Sequence, residues 1–311
     1  MSGTLVSIAL CTYNGEKYLI EQLDSLVAQD YGQLEIIAVD DGSKDGTVAI
    51  LKNYATKFPF FKVVQNEQNL GYIKNFEKAI SLCTGDFIAL ADQDDIWELN
   101  KISIMVAEIK DHLLLYHNSQ FITEDGQSMG QEMTAIRNFY TGNDSRVFLL
   151  ENCVSGHAML FKKELLKFFS DFDTPSFHDW WIVYMACNNG TVGFINECLV
   201  KYRQHSHANT NILRQNRGEI KKRNTLLQIE KEFQRIKVFE AYPFNNHQQF
   251  KRRLLTLVSR RMNSYFSFSL AFFIFKHRDQ LLFIQKKSGL SKFNFILKYA
   301  WGYKLKARLT S

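Results

Sequence analysis

The chain has 311 residues, 46% of them hydrophobic and 23% charged; this globular composition excludes a disordered chain and suffices for one large domain with an appendage or for two domains. Five cysteines without a C-x-x-C pair exclude a disulfide framework and a zinc ribbon, and point to a reducing compartment. The net charge of +6 conceals a division: residues 1–200 hold 14 Lys/Arg against 27 Asp/Glu, or −13, and residues 201–311 hold 24 against 5, or +19, which predicts different tasks for the two parts.

The N-terminal MSGTLVSIAL lacks a basic stretch ahead of a long apolar run and reads as a first strand rather than an export signal. Apolar runs then alternate with helical patterns in the order LVSIAL, GEKYLIEQLDSLVAQ, LEIIAV, DGTVAILKNYAT, FKVVQ, IKNFEKAISL and DFIALA. Such alternation predicts βαβ units and a buried parallel sheet, whose ligands bind at the carboxyl ends of the strands. From 113 to 202 the runs LLLYH, FIT, HAMLF, TVGFI and CLVKY, with the helical HDWWIVYMACNN among them, predict a mixed second half-sheet. A change of charge and periodicity at about 205–215 marks a soft boundary, and from 218 helical patterns rich in Lys and Arg dominate. The longest apolar stretch, SYFSFSLAFFIF at 264–275, is about half of the roughly 20 residues a spanning helix needs, so no transmembrane span is expected.

Polar clusters fall at the predicted strand ends: Thr12-Tyr13-Asn14, Asp40-Asp41-Gly42-Ser43 and Asp92-Gln93-Asp94-Asp95, with Asn69, Gly71, Lys74 and Asn75 at a helix start after the third strand. Asp, Gly and Ser are ordinary turn and cap residues, which is the plain reading of VDDGSKDG. Together, however, the clusters outline one crevice suited to a nucleoside diphosphate. A strand-tip Asp accepts from a base imide or a ribose hydroxyl, and an Asp-x-Asp turn offers hard oxygen ligands to Mg²⁺ or Mn²⁺ on the phosphates.

The ordered set CTYNGEKYL, VDDGSKDGT, NLGYIKN, ADQDDIW, SGHAML, HDWW and YRQH, covering about residues 4–209, resembles family 2 glycosyltransferases. ADQDDIW with HDWW and YRQH is similar to bacterial rhamnosyltransferase-type members that build O-antigen, capsule or rhamnan. The resemblance implies a GT-A fold: a Rossmann-like α/β domain over 1–212, with a mostly parallel sheet and a mixed second half. Nucleotide binding would lie in about 1–112 and acceptor binding in about 113–212; the basic helical C-terminal extension expected at 213–311 lies outside the resemblance. The resemblance further implies inverting, metal-dependent transfer of a sugar, with dTDP-L-rhamnose or a UDP-hexose as donor and a growing lipid-linked surface glycan as acceptor. By this resemblance Thr12, Tyr13 and Asn14 belong to the nucleotide site, with Asp41 on the base and ribose, Asp92 on the ribose side and Lys74 at a phosphate. Asp94 and His205 would hold Mn²⁺ or Mg²⁺, with His207 a competitor for the histidine role. Asp179, in HDWW, is the candidate base for the acceptor hydroxyl; its alternative is a helix cap, which would lower its pKa rather than raise it. Of Trp180 and Trp181 one is expected in the core and one at the site. His157 is either near the donor sugar or a satisfied polar residue at the sheet edge.

In QFKRRLLTLVSRRM, Phe250, Leu254, Leu255, Leu257, Val258 and Met262 recur at helical spacing while Lys251, Arg252, Arg253, Arg260 and Arg261 lie between them. This basic amphipathic pattern suits an anionic membrane surface, and with the resemblance it places the chain in the cytoplasm, peripheral on the inner face of the cell membrane. The alternatives are a packed helical extension with a solvated basic face and a non-catalytic basic module binding nucleic acid, which would leave the upstream acids unexplained; self-association through Phe266–Phe275 is compatible with any of the three.

Overall fold

The computed structural model of the chain describes residues 3–169, 178–206 and 225–310. Four parallel strands open it, β1 (Val6–Thr12), β2 (Leu34–Asp40), β3 (Phe61–Gln65) and β4 (Phe87–Ala91), linked by helices α1 (Glu16–Val27), α2 (Thr47–Lys57) and α3 (Tyr72–Ser81). Both faces of β1 and β2 are apolar: Ile8, Leu10, Ile36 and Ala38 join one core cluster and Ala9, Cys11, Ile37 and Val39 the other. That double burial is the reason these strands read as continuous apolar runs rather than as alternating ones.

The second half is mixed. It contains the short β5 (Ile96–Trp97), α4 (Lys101–Glu108), β6 (Leu114–Ile122), β7 (Ser128–Glu132), β8 (Met159–Lys162), α5 (His178–Asn189) and β9 (Val192–Arg203). The strand order is β3-β2-β1-β4-β8-β6-β9-β5, with β7 paired to β6. β8 runs antiparallel to both β4 and β6, and β6 runs parallel to β9. The curled, mostly parallel sheet with a mixed half is therefore as the alternation predicts. LLLYH and FIT, however, are one strand, as are TVGFI and CLVKY. Register shifts at His117/Asn118 and Asn118/Ser119 let β6 and β9 stay paired across polar positions that look like a break in the sequence.

Beyond the sheet lie α6 (Thr225–Ala241), α7 (Gln248–Met262), α8 (Phe268–Lys276), α9 (Arg278–Leu281), α10 (Gly289–Leu297) and α11 (Tyr303–Thr310). The expected boundary at about 205–215 falls mostly outside the described residues. Phe239 of α6 packs on Trp181 and Tyr184 of α5 at ring distances of 5.7 and 4.0 Å, and Leu254, Leu257 and Val258 of α7 belong to the same core cluster. The basic pattern of α7 is not a uniform solvated face. Lys251 is fully buried, donating to Ser145 Oγ, Asn188 Oδ1 and Asn245 Oδ1 at 2.8, 2.8 and 2.7 Å, and Arg261 is buried against the carbonyls of Lys298 and Trp301. No helix among the described residues is long and apolar enough to cross a membrane.

Candidate active site

Asp40, the last residue of β2, is a turn residue: its buried carboxylate accepts from the backbone N–H of Gly42 and Ser43 and from the hydroxyls of Thr12 and Ser43. Its neighbour Asp41 lines a cavity of about 1300 Å³ at the carboxyl ends of the strands. The Asp41 carboxylate also accepts from Asn66 Nδ2 at 2.8 Å and from the N–H groups of Leu70 and Gly71 at 2.8 and 2.9 Å, tying the end of β2 to the loop before α3. Gly71 makes this tie possible, since its φ of 83° with ψ of 151° is a conformation essentially confined to glycine.

Thr12 and Tyr13 line the same cavity, and the Gln93 side-chain amide clamps the Tyr13 backbone at both its N–H and its carbonyl. Asn14 is not among the lining residues; its φ is 48° and its Oδ1 accepts from the Lys44 N–H, so it braces the 43–46 turn. Lys74 is likewise outside the lining and pairs with Glu77 at 2.8 Å.

After β4, Asp92 and Asp94 line the cavity while Asp95 is completely buried beneath them. Asp95 Oδ1 accepts from the Arg203 N–H at 3.0 Å, and Oδ2 lies 3.1 Å from His157 Nδ1. His157 arrives from the turn before β8, buried, with Nε2 at 3.0 Å from Ser119 Oγ and Nδ1 at 3.8 Å from Asp92. Burial by itself would lower the His157 pKa, but Asp95 and Asp92 override it and carry the imidazole up to about 9. Burial works against charge on Asp92 as well, and there the ion pair with His157 wins and holds the carboxyl below its usual range. Asp94 behaves oppositely: burial, reinforced by Asp95 and Asp92, raises it to about 6 despite the 2.9 Å contact with His205 Nε2.

The expected metal pair, Asp94 and His205, is thus in contact, and His205 Nδ1 is buried with no hydrogen-bond partner among the described residues. The three-ligand grouping among the described residues is Asp92, Asp95 and His157, whose donor atoms lie within 4.8 Å of one another. Two carboxylates and an imidazole, with the buried Asp95 Oδ2 engaged by His157 Nδ1 alone among the described residues, fit a hard divalent cation that takes the place of the imidazole proton. His207 lies outside the described residues.

Asp179 opens α5 and faces the cavity. Its Oδ1 accepts from the adjacent Trp180 N–H at 2.6 Å, yet burial outweighs that bond and Asp92 adds repulsion, so the carboxyl is pushed up to about 7. A satisfied helix cap would shift the other way. The tryptophans divide: Trp181 is in the core, stacked on Tyr184 and Phe239, while Trp180 lines the cavity with Nε1 donating to the Phe148 carbonyl and Arg235 4.0 Å over its ring. His178 stacks on Phe76 at 4.0 Å, and burial lowers its pKa to about 4.

The sequence places Asp95 among the strand-end acids without a role of its own and leaves His157 between the donor sugar and the sheet edge; neither is legible there as part of a metal-ligating group. Each had a signal, a charged residue directly before or after an apolar strand, but only the fold brings positions 62 residues apart to 3.1 Å. Arg235, hidden in a helical pattern of cations, had none.

Comparison with known proteins agrees with this architecture. Residues 7–169 match the profile described as Glycosyl transferase family 2. An uncharacterized glycosyltransferase of Haemophilus influenzae is 25% identical over 319 residues, covering 93% of this chain and 96% of its own. Among solved structures, S. aureus TarS 1–349 in complex with UDP-GlcNAc aligns at a TM-score of 0.58 and 22% identity, over 81% of this chain and 70% of that one. The mannosyltransferase PcManGT from Pyrobaculum calidifontis, in complex with GDP-Man and Mn²⁺, aligns at 0.55 and 16% over 98% of this chain and 86% of its own. With the family profile matched across more than half its length and a GT-A-like sheet carrying acids at its strand ends, the chain belongs to glycosyl transferase family 2.

Proposed function

We propose that the chain transfers a sugar, with inversion at the anomeric carbon, from a nucleoside-diphosphate donor to a hydroxyl of a growing surface glycan. The carrying observation is that Asp179, its carboxyl at about 7, faces the same cavity as Asp92 and Asp94. In this reading Thr12, Tyr13 and Asp41 border the base and ribose. Asp92, Asp95 and His157, with Asp94 and His205 beside them, hold Mg²⁺ or Mn²⁺, which would supply charge neutralisation at the leaving diphosphate. Asp179 takes the acceptor proton as the acceptor oxygen bonds to the anomeric carbon and the bond to the phosphate oxygen breaks.

The resemblance of ADQDDIW, HDWW and YRQH to rhamnosyltransferases favours dTDP-L-rhamnose; the UDP-GlcNAc complex of TarS supports a UDP-hexose as the second reading. Exposed Phe268, Phe272 and Trp301, 67, 67 and 45% accessible, support a peripheral position on the inner membrane face beside a lipid-linked acceptor. Calorimetry with UDP, dTDP and GDP, with and without Mn²⁺, selects the donor, and Asp94→Ala is expected to abolish metal-dependent binding. Asp179→Asn is expected to keep donor binding and lose transfer by about 10²–10⁴-fold; full transfer in Asp179→Asn would remove the base assignment.

A further inference from the structure

The positive charge of the C-terminal helices is directed partly inward. Lys231 and Arg235 of α6, Lys287 just before α10, Lys298 just after it and Lys306 of α11 line the same cavity as the strand-end acids, and Arg137 joins them from the segment after β7. Two carboxylates share this arm. Glu151 accepts from Gln285 Nε2 at 2.6 Å, and Glu232 is engaged by Tyr299 and by Arg261, whose guanidinium is otherwise tied to backbone carbonyls. Among the described residues no carboxylate pairs with Arg137, Lys231, Lys287 or Lys298. Lys287 and Lys298 instead flank the Phe295 ring at 5.4 and 5.7 Å.

Arg235 connects this arm to the chemistry. Its guanidinium lies 4.0 Å over Trp180, the neighbour of Asp179; one terminal nitrogen donates to the Leu150 carbonyl at 3.4 Å, while Nε is buried with no hydrogen-bond partner among the described residues. A buried guanidinium nitrogen is costly to leave unpaired. Like charges act on one another here: burial lowers the Lys306 pKa, and Arg261 and Lys298 lower it further against the opposing pull of Glu232. Glu232 and Glu151 offset part of the charge at Arg235, but Arg137, Lys231, Arg235, Lys287 and Lys298 outnumber these two carboxylates in the lining, and an excess of cations on a cavity wall is compensated by an anion that comes with the ligand.

We propose that this arm is the acceptor-binding wall and that the acceptor carries phosphate groups, held by Lys231, Arg235, Lys287 and Lys298 while its reacting hydroxyl lies beside Asp179. The proposal rests on the glycosyltransferase reading above. A planar guanidinium with several ammonium groups lining one cavity suits repeated or doubly charged oxyanions. Two sources share that chemistry: phosphodiesters within a glycan chain, and the diphosphate that joins a glycan to a lipid.

The test uses the full chain loaded with saturating UDP and Mn²⁺, so that the donor end is filled. It is titrated calorimetrically with a glycerol-phosphate oligomer, with geranylgeranyl diphosphate, and with uncharged maltotriose as control. One phosphate probe is expected to bind in preference to maltotriose, and the probe that binds identifies the source. The triple variant Lys231→Gln, Lys287→Gln, Lys298→Gln is expected to weaken that binding tenfold or more, while UDP affinity is retained. The proposal is overturned if neither phosphate probe binds, if the triple variant binds as well as the wild type, or if UDP binding falls in parallel, which would assign the cations to the donor. If the wild type does not bind UDP, the donor reading fails separately, and the same titration without UDP still reads the arm.

Discussion

At Asp179 one carboxyl has two competing partners, the Trp180 N–H that favours charge and the burial that opposes it. Burial wins, at about 7. The base must be ionised to accept a proton, so kcat/KM is expected to rise about tenfold per pH unit below pH 7 and to level off above it. Asp92, His157 and Arg137 act on this group by charge, but a pH–rate profile of Asp179→Asn should lose the limb altogether. A limb that persists in that variant would assign it to another group. The same shift has a stability consequence of opposite sense: the folded state binds the proton more tightly than the unfolded chain, so the contribution of Asp179 to stability falls as pH rises from about 4 to about 7. Asp40 and Asp41 are adjacent in sequence, yet Asp40 serves its own turn while Asp41 reaches a loop 25 to 30 residues away.

At the scale of elements, that loop between β3 and α3 is set by Gly71. An added Cβ there meets nothing within 4 Å, so the cost of Gly71→Ala is conformational, not steric. We expect Gly71→Ala to destabilise by about 1–3 kcal/mol and to weaken nucleotide binding, because two of the N–H groups holding Asp41 belong to residues 70 and 71. Thermal denaturation with and without UDP checks both parts; an unchanged melting temperature would show that the loop adapts. α5 illustrates a different element-level rule. It is buried continuously from Trp181 to Cys187, as a helix enclosed by a sheet on one side and further helices on the other must be.

Across the whole molecule, α6 to α10 share a core with the sheet domain, with Phe239 packed on Trp181 and Tyr184. Phe239→Ala is expected to cost about 3–5 kcal/mol and to lower the melting temperature of the entire chain. A separate early transition, with the sheet domain's melting unchanged, would show that the helices fold independently. Charge follows the same logic: the tail that reads as a basic membrane-facing surface places some of its cations in the interior and some along the cavity. The parallel half of the sheet, the strand-end position of the acids and the division of charge are legible in the sequence, because each is a local pattern of period, turn chemistry or composition. That His157 joins the acids, with Asp95 buried beneath them, that Asn14 and Lys74 stand outside the cavity lining, and that Arg235 lies over Trp180 are products of the tertiary structure. Those outcomes depend on contacts between residues far apart in the chain, such as Arg203 with Glu21 across 182 positions, and on burial, which no local pattern of residues encodes.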